Sequence, residues 1–364
     1  MIRSVLVINP FGIGDVLFST PLVRQLHEAH PGARIYYLCN RRTSAFLKNH
    51  PLITKLFVYE RDEFRAAENR SFWEGAWMLI SFLNDIRKEH IDVAIDLSLN
   101  SKFGLYAILA GIPVRAGFDH KKRGRFLTKK LPLAGFDSKN VIEYYLDILR
   151  LIGIQPRVSS MEIYSDEASR AWAARIVKPG KLVIGIAPCG GQAFGASAGL
   201  KRWPEGHFTA LIDRLVDRFH PQIFLFASAN EKTEMERILS HLTPEARELT
   251  RGFSDQLFEE IVALTGHCDL FISNDTGLLR VAVAYGKKTL SFFGPADERV
   301  YGPFPSDPSR HRVLTNPIAC RPCYKRFRLS ECHDNVACLT GVGVDEAFSA
   351  CEALLQIGKS PNNG

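Results

Sequence analysis

The sequence contains no run of about 20 consecutive apolar residues, the length that a membrane-spanning helix requires. The nearest approach, residues 105–114, is interrupted by Gly111 and Pro113. Near the amino terminus, the apolar stretch of residues 5–8 is too short for the core of a secretory signal peptide and is typical of a first strand. We therefore expect a cytoplasmic chain.

The composition also lacks the excess of charge over apolar residues that keeps a chain disordered. Apolar residues make up 46% of the sequence and charged residues 23%, which is ordinary for a folded protein. No low-complexity tract or short-period repeat is present. Because 364 residues exceed what one hydrophobic core usually organises, we expect two domains.

Signatures of nucleic-acid recognition are missing too, since the sequence has no zinc finger, helix-turn-helix or aromatic RNA-binding motif. The net charge of +7 still favours an anionic partner. Residues 115–130 form a cationic segment in which Asp119 is the only acidic residue. Its cations are Arg115, Lys121, Lys122, Arg123, Arg125, Lys129 and Lys130. This segment could hold phosphate groups or lie against anionic lipid headgroups; the alternative is a solvated basic loop.

Short aliphatic runs alternate with longer helical patterns, which predicts an α/β fold with two series of βαβ units and parallel sheets. The first series has strand candidates at residues 5–9, 34–39, 56–59, 93–97 and 114–118, and the second at 181–187, 222–227, 269–273 and 289–293. We predict domains at residues 1–160 and 161–345, followed by a C-terminal helix and frayed tail at 346–364. Ligands of such folds bind at the carboxyl ends of the strands, so function is sought in the loops that follow them.

The first such loop contains Gly12 and Gly14 and ends at Asp15. Its glycines allow a tight turn and close approach of the backbone to a ligand. A dinucleotide fingerprint would need a third glycine where the sequence has Leu17, so a nicotinamide-dependent enzyme is disfavoured and no cofactor is predicted. The alternative role for Asp15 is that of an ordinary helix N-cap.

The second candidate is the polar turn that precedes an apolar helix and contains Asn274, Asp275, Thr276 and Gly277. Backbone N–H groups at the start of a helix can hold a diphosphate, and Gly277 would leave room for it. The alternative is an Asp or Thr cap on a buried helix.

A third group of candidates lies between these two. Gly190 and Gly191 follow a predicted strand, and Lys201 could neutralise phosphate charge. Glu231, after the next strand, could accept hydrogen bonds from a nucleoside. Both charged residues could equally be solvated residues at the first turn of a helix.

Four of the eight cysteines follow the pattern C-x2-C-x8-C-x5-C, at Cys320, Cys323, Cys332 and Cys338. Disulfides are not expected in the cytoplasm. A structural zinc site is conceivable, with His333 able to replace one cysteine, but the second pair lacks the tight spacing of zinc ribbons.

Taken together, these motifs resemble glycosyltransferase family 9, whose members include the ADP-heptose:lipopolysaccharide heptosyltransferases. The most specific match is Asn274-Asp275-Thr276-Gly277, continuing to Gly294-Pro295. Gly12-x-Gly14-Asp15, Lys201-x-Trp203-Pro204-Glu205 and the late Cys-x-x-Cys segment match in the same order. The family usually has His where this chain has Arg280.

The resemblance implies a GT-B fold, in which two Rossmann-like domains face each other across a cleft. The amino-terminal domain would bind the acceptor and the carboxyl-terminal domain the nucleotide sugar. In this scheme Asp15 is the general base, and the donor-binding residues are Lys201, Asp275, Thr276, Gly277, Gly190, Gly191, Glu231 and Arg280. The acceptor-binding residues are Gly12, Gly14, Lys121, Lys122, Arg123 and Arg125.

The implied reaction is inverting and metal-independent transfer of heptose from ADP-heptose to the lipopolysaccharide core or a related anionic glycolipid. The enzyme would work in the cytoplasm or in peripheral contact with the inner membrane. Two rivals stay open. One is a nucleotide-sugar epimerase of the same architecture, and the other is a non-catalytic nucleotide-sugar-binding relative, which the replacement of His by Arg280 would fit.

Overall fold

The computed structural model describes residues 2–190 and 192–356. The chain divides into two compact units. The first comprises the chain up to Phe136 together with Val141–Tyr164; the second comprises Asp137–Asn140 and the chain from Ser165 onward. A six-stranded parallel sheet organises each unit.

The sheet of the first unit begins with β1, whose five residues are all buried because helices cover both faces of a parallel sheet. Its strands are β1 (Ser4–Ile8), β2 (Arg34–Cys39), β3 (Lys55–Val58), β4 (Val93–Asp96), β5 (Val114–His120) and β6 (Lys129–Leu133). Its α-helices are α1 (Ile13–Phe18), α2 (Thr20–Ala29), α3 (Arg41–Leu47), α4 (Arg61–Arg70), α5 (Phe72–Arg87), α6 (Ser101–Leu109) and α7 (Val141–Asp147). Short 3-10 helices span Arg123–Phe126 and Ile148–Ile152.

The second unit repeats this pattern. Its main strands are β7 (Val183–Ala187), β8 (Gln222–Phe226), β9 (Thr250–Phe253), β10 (Leu270–Asn274), β11 (Lys288–Phe292) and β12 (His311–Leu314), and β13 (Tyr324–Lys325) pairs with β14 (Arg328–Leu329). Its α-helices are α8 (Glu167–Ile176), α9 (Glu205–Phe219), α10 (Lys232–Ser240), α11 (Pro244–Leu249), α12 (Phe258–Thr265), α13 (Gly277–Ala284), α14 (Glu298–Tyr301), α15 (Ala337–Thr340) and α16 (Val344–Gln356). Further 3-10 helices span Gln192–Lys201 and Ala229–Glu231.

Both sheets have the same strand order. It runs β3-β2-β1-β4-β5-β6 in the first unit and β9-β8-β7-β10-β11-β12 in the second. In each, the order reverses between the first and fourth strands of the unit, which is where Rossmann-like sheets open a crevice for ligands. The predicted α/β class with parallel sheets is confirmed.

The core of the second unit shows why particular residues occupy the central strands. A Cβ on Gly185 in β7 would lie 2.7 Å from both Cys268 and Phe271, so only glycine lets those side chains close over the strand. On the neighbouring core cluster, the ring of Trp203 stacks on Phe292 of β11 at a centroid distance of 4.0 Å. Both rings are fully buried and fix the segment that precedes α9.

Besides the short pair β13 and β14, three strands of the main sheets were not predicted from the sequence: β6, β9 and β12. Each lies at an edge of its sheet and carries cationic residues, so the apolar signal is weak. The basic segment is therefore not one loop, because it contains β5, a 3-10 helix and the start of β6. No α-helix in residues 2–190 and 192–356 is both long and apolar enough to cross a membrane.

Candidate functional site

In the first unit, the loop after β1 is held by two asparagine side chains. Asn9 donates from Nδ2 to the carbonyl oxygen of Asp15 at 3.0 Å, and Asn40 donates to the carbonyl oxygen of Phe11 at 2.7 Å. Gly12 has extended backbone angles, φ −73° and ψ 178°, and is the N-cap of α1. The loop is thus fixed by buried or half-buried amides rather than by its glycines alone.

Asp15 lies in the first turn of α1 and is half-buried. Because the helix begins at Ile13 and Gly12 caps it, the alternative that Asp15 serves as the N-cap is wrong. Gly14 is already inside the helix. A negative side chain in the first turn is favoured by the helix dipole, which helps to hold a carboxylate at this position.

Asp96, which the sequence analysis did not single out, ends the neighbouring strand β4 and lies opposite Ile8 of β1. Its carboxylate accepts a hydrogen bond from the backbone N–H of Ser98 at 2.9 Å. Burial raises the pKa of Asp96 to about 6, although Ser98 opposes the shift. The available signal was a single aspartate at the carboxyl end of an apolar strand, without the neighbouring polar residues and glycine that identified Asp275.

The basic segment separates into two groups of cations. Arg115 is tied to the backbone, donating to the carbonyl oxygens of Phe126 at 2.8 Å and Ile112 at 2.6 Å, and Lys130 pairs with Asp119 at 2.8 Å. The four predicted acceptor-binding cations are all exposed: Lys121, Lys122, Arg123 and Arg125. Their turn therefore offers positive charge to solvent.

In the second unit, β10 runs through a polar turn into α13. Thr276 is the N-cap, with its Oγ1 accepting from the N–H of Leu279 at 3.4 Å and lying 2.8 Å from Ser273 Oγ. The helix begins at Gly277. The geometry agrees both with an anion-binding turn and with an ordinary Thr cap, since a capped helix still presents its remaining N–H groups to an anion.

Asp275, Lys201 and Arg280 form a buried ionic cluster at this turn. The carboxylate of Asp275 contacts the ammonium group of Lys201 with one oxygen and the guanidinium group of Arg280 with the other. Arg280 also donates to the carbonyl oxygens of Thr276 at 2.7 Å and Tyr301 at 2.5 Å. Burial by itself would raise the pKa of Asp275, but the two cations hold it at about 2.

The charge of this cluster decides what it can bind. Two cations against one carboxylate leave a formal charge of +1 in a site where water is largely excluded. Such a cluster next to a helix N-terminus favours an anionic ligand. Arg280 lies one turn into α13 and is directed to Asp275 and the backbone.

The loop after β7 meets this turn. Gly190 has a φ of +109°, and a Cβ there would lie 2.4 Å from the Cγ2 of Thr276, so both conformation and space require glycine. Asn274 links the same elements: its Nδ2 donates to the carbonyl oxygen of Pro188 at 2.6 Å and its Oδ1 accepts from the N–H of Trp203 at 2.9 Å. Gly191, the other predicted glycine, lies outside the described residues.

Glu231 is buried and connects three segments of the second unit. Its Oε1 accepts from the N–H of Gly190 and from Arg202, both at 2.8 Å, and its Oε2 accepts from the hydroxyl of Ser228 at 2.6 Å. These contacts fix the position of the loop after β7. Contact with a nucleoside, the role predicted for Glu231, stays a prediction.

All eight cysteines are free. Four of them line one small cavity of about 60 Å³ with His333: Cys320, Cys323, Cys332 and Cys338. Within residues 2–190 and 192–356, however, no group of three or more His, Cys, Asp or Glu side chains is arranged to hold a metal ion. The sequence motif thus gathers its thiols at one place, and metal binding there stays a prediction.

Each unit has a Rossmann-like sheet, and the second carries a capped helix and a buried cationic cluster at its reversal point, as expected for the GT-B fold. A solved structure of Escherichia coli ADP-heptose lps heptosyltransferase II has this fold, with a TM-score of 0.77 and 22% identity, covering 98% of this chain and all of the other. A family 9 glycosyltransferase from Veillonella parvula matches with a TM-score of 0.79 and 19% identity, covering 98% of each chain.

Comparison of the sequence with known families identifies the family of this chain. The model of glycosyltransferase family 9 (heptosyltransferase) matches residues 79–333, and the chain belongs to this family. Among its relatives, lipopolysaccharide heptosyltransferase 2 of Escherichia coli strain K12 is 25% identical over 305 residues, which cover 80% of this chain and 83% of that protein. The predicted family, fold and enzyme class are confirmed.

Proposed function

We propose that the chain transfers heptose from ADP-heptose to the lipopolysaccharide core or a related anionic glycolipid, with inversion and without a metal ion. Membership of family 9 and the similarity to known heptosyltransferases support this substrate pair. The observation that carries the proposal for donor handling is the buried cluster of Lys201, Asp275 and Arg280 at the start of α13.

On the donor side, the diphosphate would lie against the N–H groups at Thr276 and Gly277. Negative charge develops on the departing nucleoside diphosphate as the bond to the anomeric carbon breaks. The net positive charge of the cluster stabilises that leaving group. Asp275 keeps Lys201 and Arg280 together and in place before the donor arrives, so little reorganisation is needed during the reaction.

On the acceptor side, Asp15 would accept the proton from the attacking hydroxyl. The hydroxyl oxygen forms the new bond to the anomeric carbon from the face opposite the diphosphate, which inverts the configuration. Gly12 and Gly14 leave the backbone near Asp15 open to the sugar. The exposed cations Lys121, Lys122, Arg123 and Arg125 would bind acceptor phosphates.

The acceptor is a lipid, so we include peripheral contact with the cytoplasmic face of the inner membrane in this proposal. The net charge of +7 and the exposed cations of the first unit support attraction to an anionic leaflet.

The decisive experiment is transfer from ADP-heptose to a lipopolysaccharide acceptor that lacks the heptose, followed by mass spectrometry of the product. Asp15→Asn should lower kcat by about a hundredfold or more, because it keeps the volume and removes the base. Asp62→Asn, in the first turn of α4 and exposed, is the matched control and should leave kcat unchanged. Near-normal turnover of Asp15→Asn would refute the base, and loss of activity in EDTA that added metal restores would refute metal independence.

The same assay addresses the two rivals. An epimerase would release an altered nucleotide sugar from the donor alone, without joining it to the glycolipid. A non-catalytic relative would bind ADP-heptose and give neither product. A glycolipid product one heptose heavier, whose new anomeric configuration is opposite to that of the donor, is the outcome that we expect.

A further inference from the structure

Exposed apolar side chains are concentrated on two helices of the first unit. Of the ten large apolar side chains that remain exposed in the described part of the chain, seven lie on α5 and α6. The most exposed are Trp73 at 79%, Phe72 at 75% and Trp77 at 71%. Contiguous apolar surface of this kind marks an interaction site more often than it occurs by chance on a soluble protein.

On α5 these residues form one stripe. Trp73, Trp77 and Ile80 are spaced by four and three positions, so they lie on the same helix face. The opposite face of α5 contributes Ile86 to the core, with Leu79 and Phe82 packed against the same cluster. The exposed stripe therefore contributes nothing to the core against which the helix packs.

On α6 the pattern is the same. Leu105, Ile108 and Leu109 are exposed, while Phe103 and Tyr106 are buried in the core cluster that also receives α5. The crossovers from β3 to β4 and from β4 to β5 run in the same direction across the sheet. Right-handed crossovers that run in one direction place their helices on one face. The outward surfaces of α5 and α6 thus belong to one layer, which we call the apolar layer.

Cations border the apolar layer at two margins. Beside α6 lies the basic turn with Arg123 and Arg125, since Phe126 of that turn packs 3.1 Å from the place of a Cβ on Gly104. At the end of α5, Trp77 and Ile80 line an open groove of about 470 Å³. The same groove is lined by Arg87, Lys88 and His90, and by Asp85, which pairs with Lys88 at 3.2 Å.

We infer that the apolar layer is a docking face for an anionic lipid bilayer, into which the aromatic and aliphatic side chains insert while the marginal cations meet headgroups. Tryptophan favours the boundary between headgroups and acyl chains, and nearby cations add attraction to an anionic leaflet. A symmetric contact between two copies would instead bring like-charged margins together. The inference rests on the proposed membrane contact and does not depend on the sugar that is transferred.

The test uses the full-length chain and vesicles of phosphatidylcholine with or without phosphatidylglycerol. Wild type should co-sediment with the anionic vesicles, less so as salt is raised. The double variant Trp73→Ser and Trp77→Ser should lower the partition coefficient about tenfold or more. Val158→Ser, which removes an exposed apolar residue of the same unit outside α5 and α6, is the control and should leave partitioning unchanged.

Fluorescence identifies the inserted face directly. Lipids brominated on their acyl chains should quench wild-type tryptophan emission. In the double variant Trp73→Phe and Trp77→Phe, binding should persist while quenching falls, because Trp203 is buried and Trp172 packs against a core cluster of the second unit. Thermal unfolding by circular dichroism verifies that each variant is folded.

Three outcomes overturn the inference. Equal partitioning of wild type and the double serine variant would leave the membrane contact standing and remove this face from it. No vesicle binding by wild type would refute both the proposed membrane contact and this docking face. A dimer in solution that the serine substitutions dissociate would make the face a protein interface. Transfer to a short water-soluble acceptor should be unchanged in the double serine variant, which separates this failure from failure of the proposed reaction.

Discussion

Asp96 and Asp275 occupy corresponding places in the two units and have opposite electrostatics. Each lies at the carboxyl end of the fourth strand of its sheet, and each is buried. Asp275 is held between two cations and has a pKa of about 2, whereas burial raises the pKa of Asp96 to about 6. No ion pair to Asp96 occurs among the described residues.

The difference shows that sheet topology determines where a carboxylate lies but not its charge. The cost of burial is offset at Asp275 by Arg280, which comes from the helix that follows, and by Lys201 from a distant loop. At Asp96 only Ser98 compensates, so the proton is retained up to about pH 6. One unit has a fixed charged cluster and the other a titratable carboxyl.

The largest expected effect comes from removing the charge of Asp275. Asp275→Asn leaves Lys201 and Arg280 buried together without a counterion, which should lower the free energy of unfolding by about 3–5 kcal/mol. Urea unfolding followed by circular dichroism measures the change. Asp269→Asn, exposed at the other end of β10, is the control and should cost less than about 1 kcal/mol. Equal losses of unfolding free energy in the two variants would mean that Asp275, between its two cations, contributes no more than the exposed Asp269.

Asp96 should make the free energy of unfolding depend on pH by about 3 kcal/mol, because its pKa is raised from about 4 to about 6. Its raised pKa means that its contribution to stability is present below about pH 4 and is lost as the pH rises through about 6. Asp96→Asn removes this loss, so the stability of the variant relative to wild type should increase between pH 4 and pH 8. Thermal unfolding across that range measures it.

Asp92, at the opposite end of β4, supplies a control of opposite sign. Although burial opposes it, hydrogen bonds from the N–H groups of Arg3 and Ser4 lower the pKa of Asp92. The contribution of Asp92 to the free energy of unfolding is present above about pH 4 and is lost as the pH falls. Asp92→Asn should therefore become less stable relative to wild type as the pH rises; a trend shared with Asp96→Asn would contradict the assignment.

The smallest effect is expected at Glu231, a buried carboxylate with one half-buried cationic partner. Glu231→Gln keeps the contact with Ser228 and removes the charge opposite Arg202, which should cost about 1–2 kcal/mol. Glu234→Gln removes the longer contact to the same Arg202, 3.4 Å, and should cost about 0.5 kcal/mol or less. Urea titrations of the pair compare them, and equal losses would mean that burial of Glu231 adds nothing.

Much of the fold could be predicted because central strands are nearly continuous apolar runs. The predicted strand at residues 34–39 agrees with β2 to the residue. The edge strands β6, β9 and β12 were missed because one side of each is unpaired, which allows lysine and arginine into the run. The edge strand β3 was predicted because three apolar residues follow its lysine.

At the candidate site, sequence motifs predicted which residues to examine but not which partners they have. Lys201 and Asp275 were both assigned to the donor, yet their ion pair depends on packing between segments far apart in the chain. Arg280 was considered as a replacement for histidine, and its bond to Asp275 follows from their places around the first turn of α13. Asp96 was missed because its raised pKa comes from burial, which a single polar residue after a strand does not reveal.

The edge strand β6 has a bearing on how the protein tolerates crowding. Lys129 and Lys130 are exposed on it, and Pro132 has no N–H group to offer a neighbouring strand. An unpaired edge would otherwise template growth of the sheet from one molecule to the next. By carrying two like charges and a proline there, the chain protects its open sheet from fibrous aggregation when it is abundant.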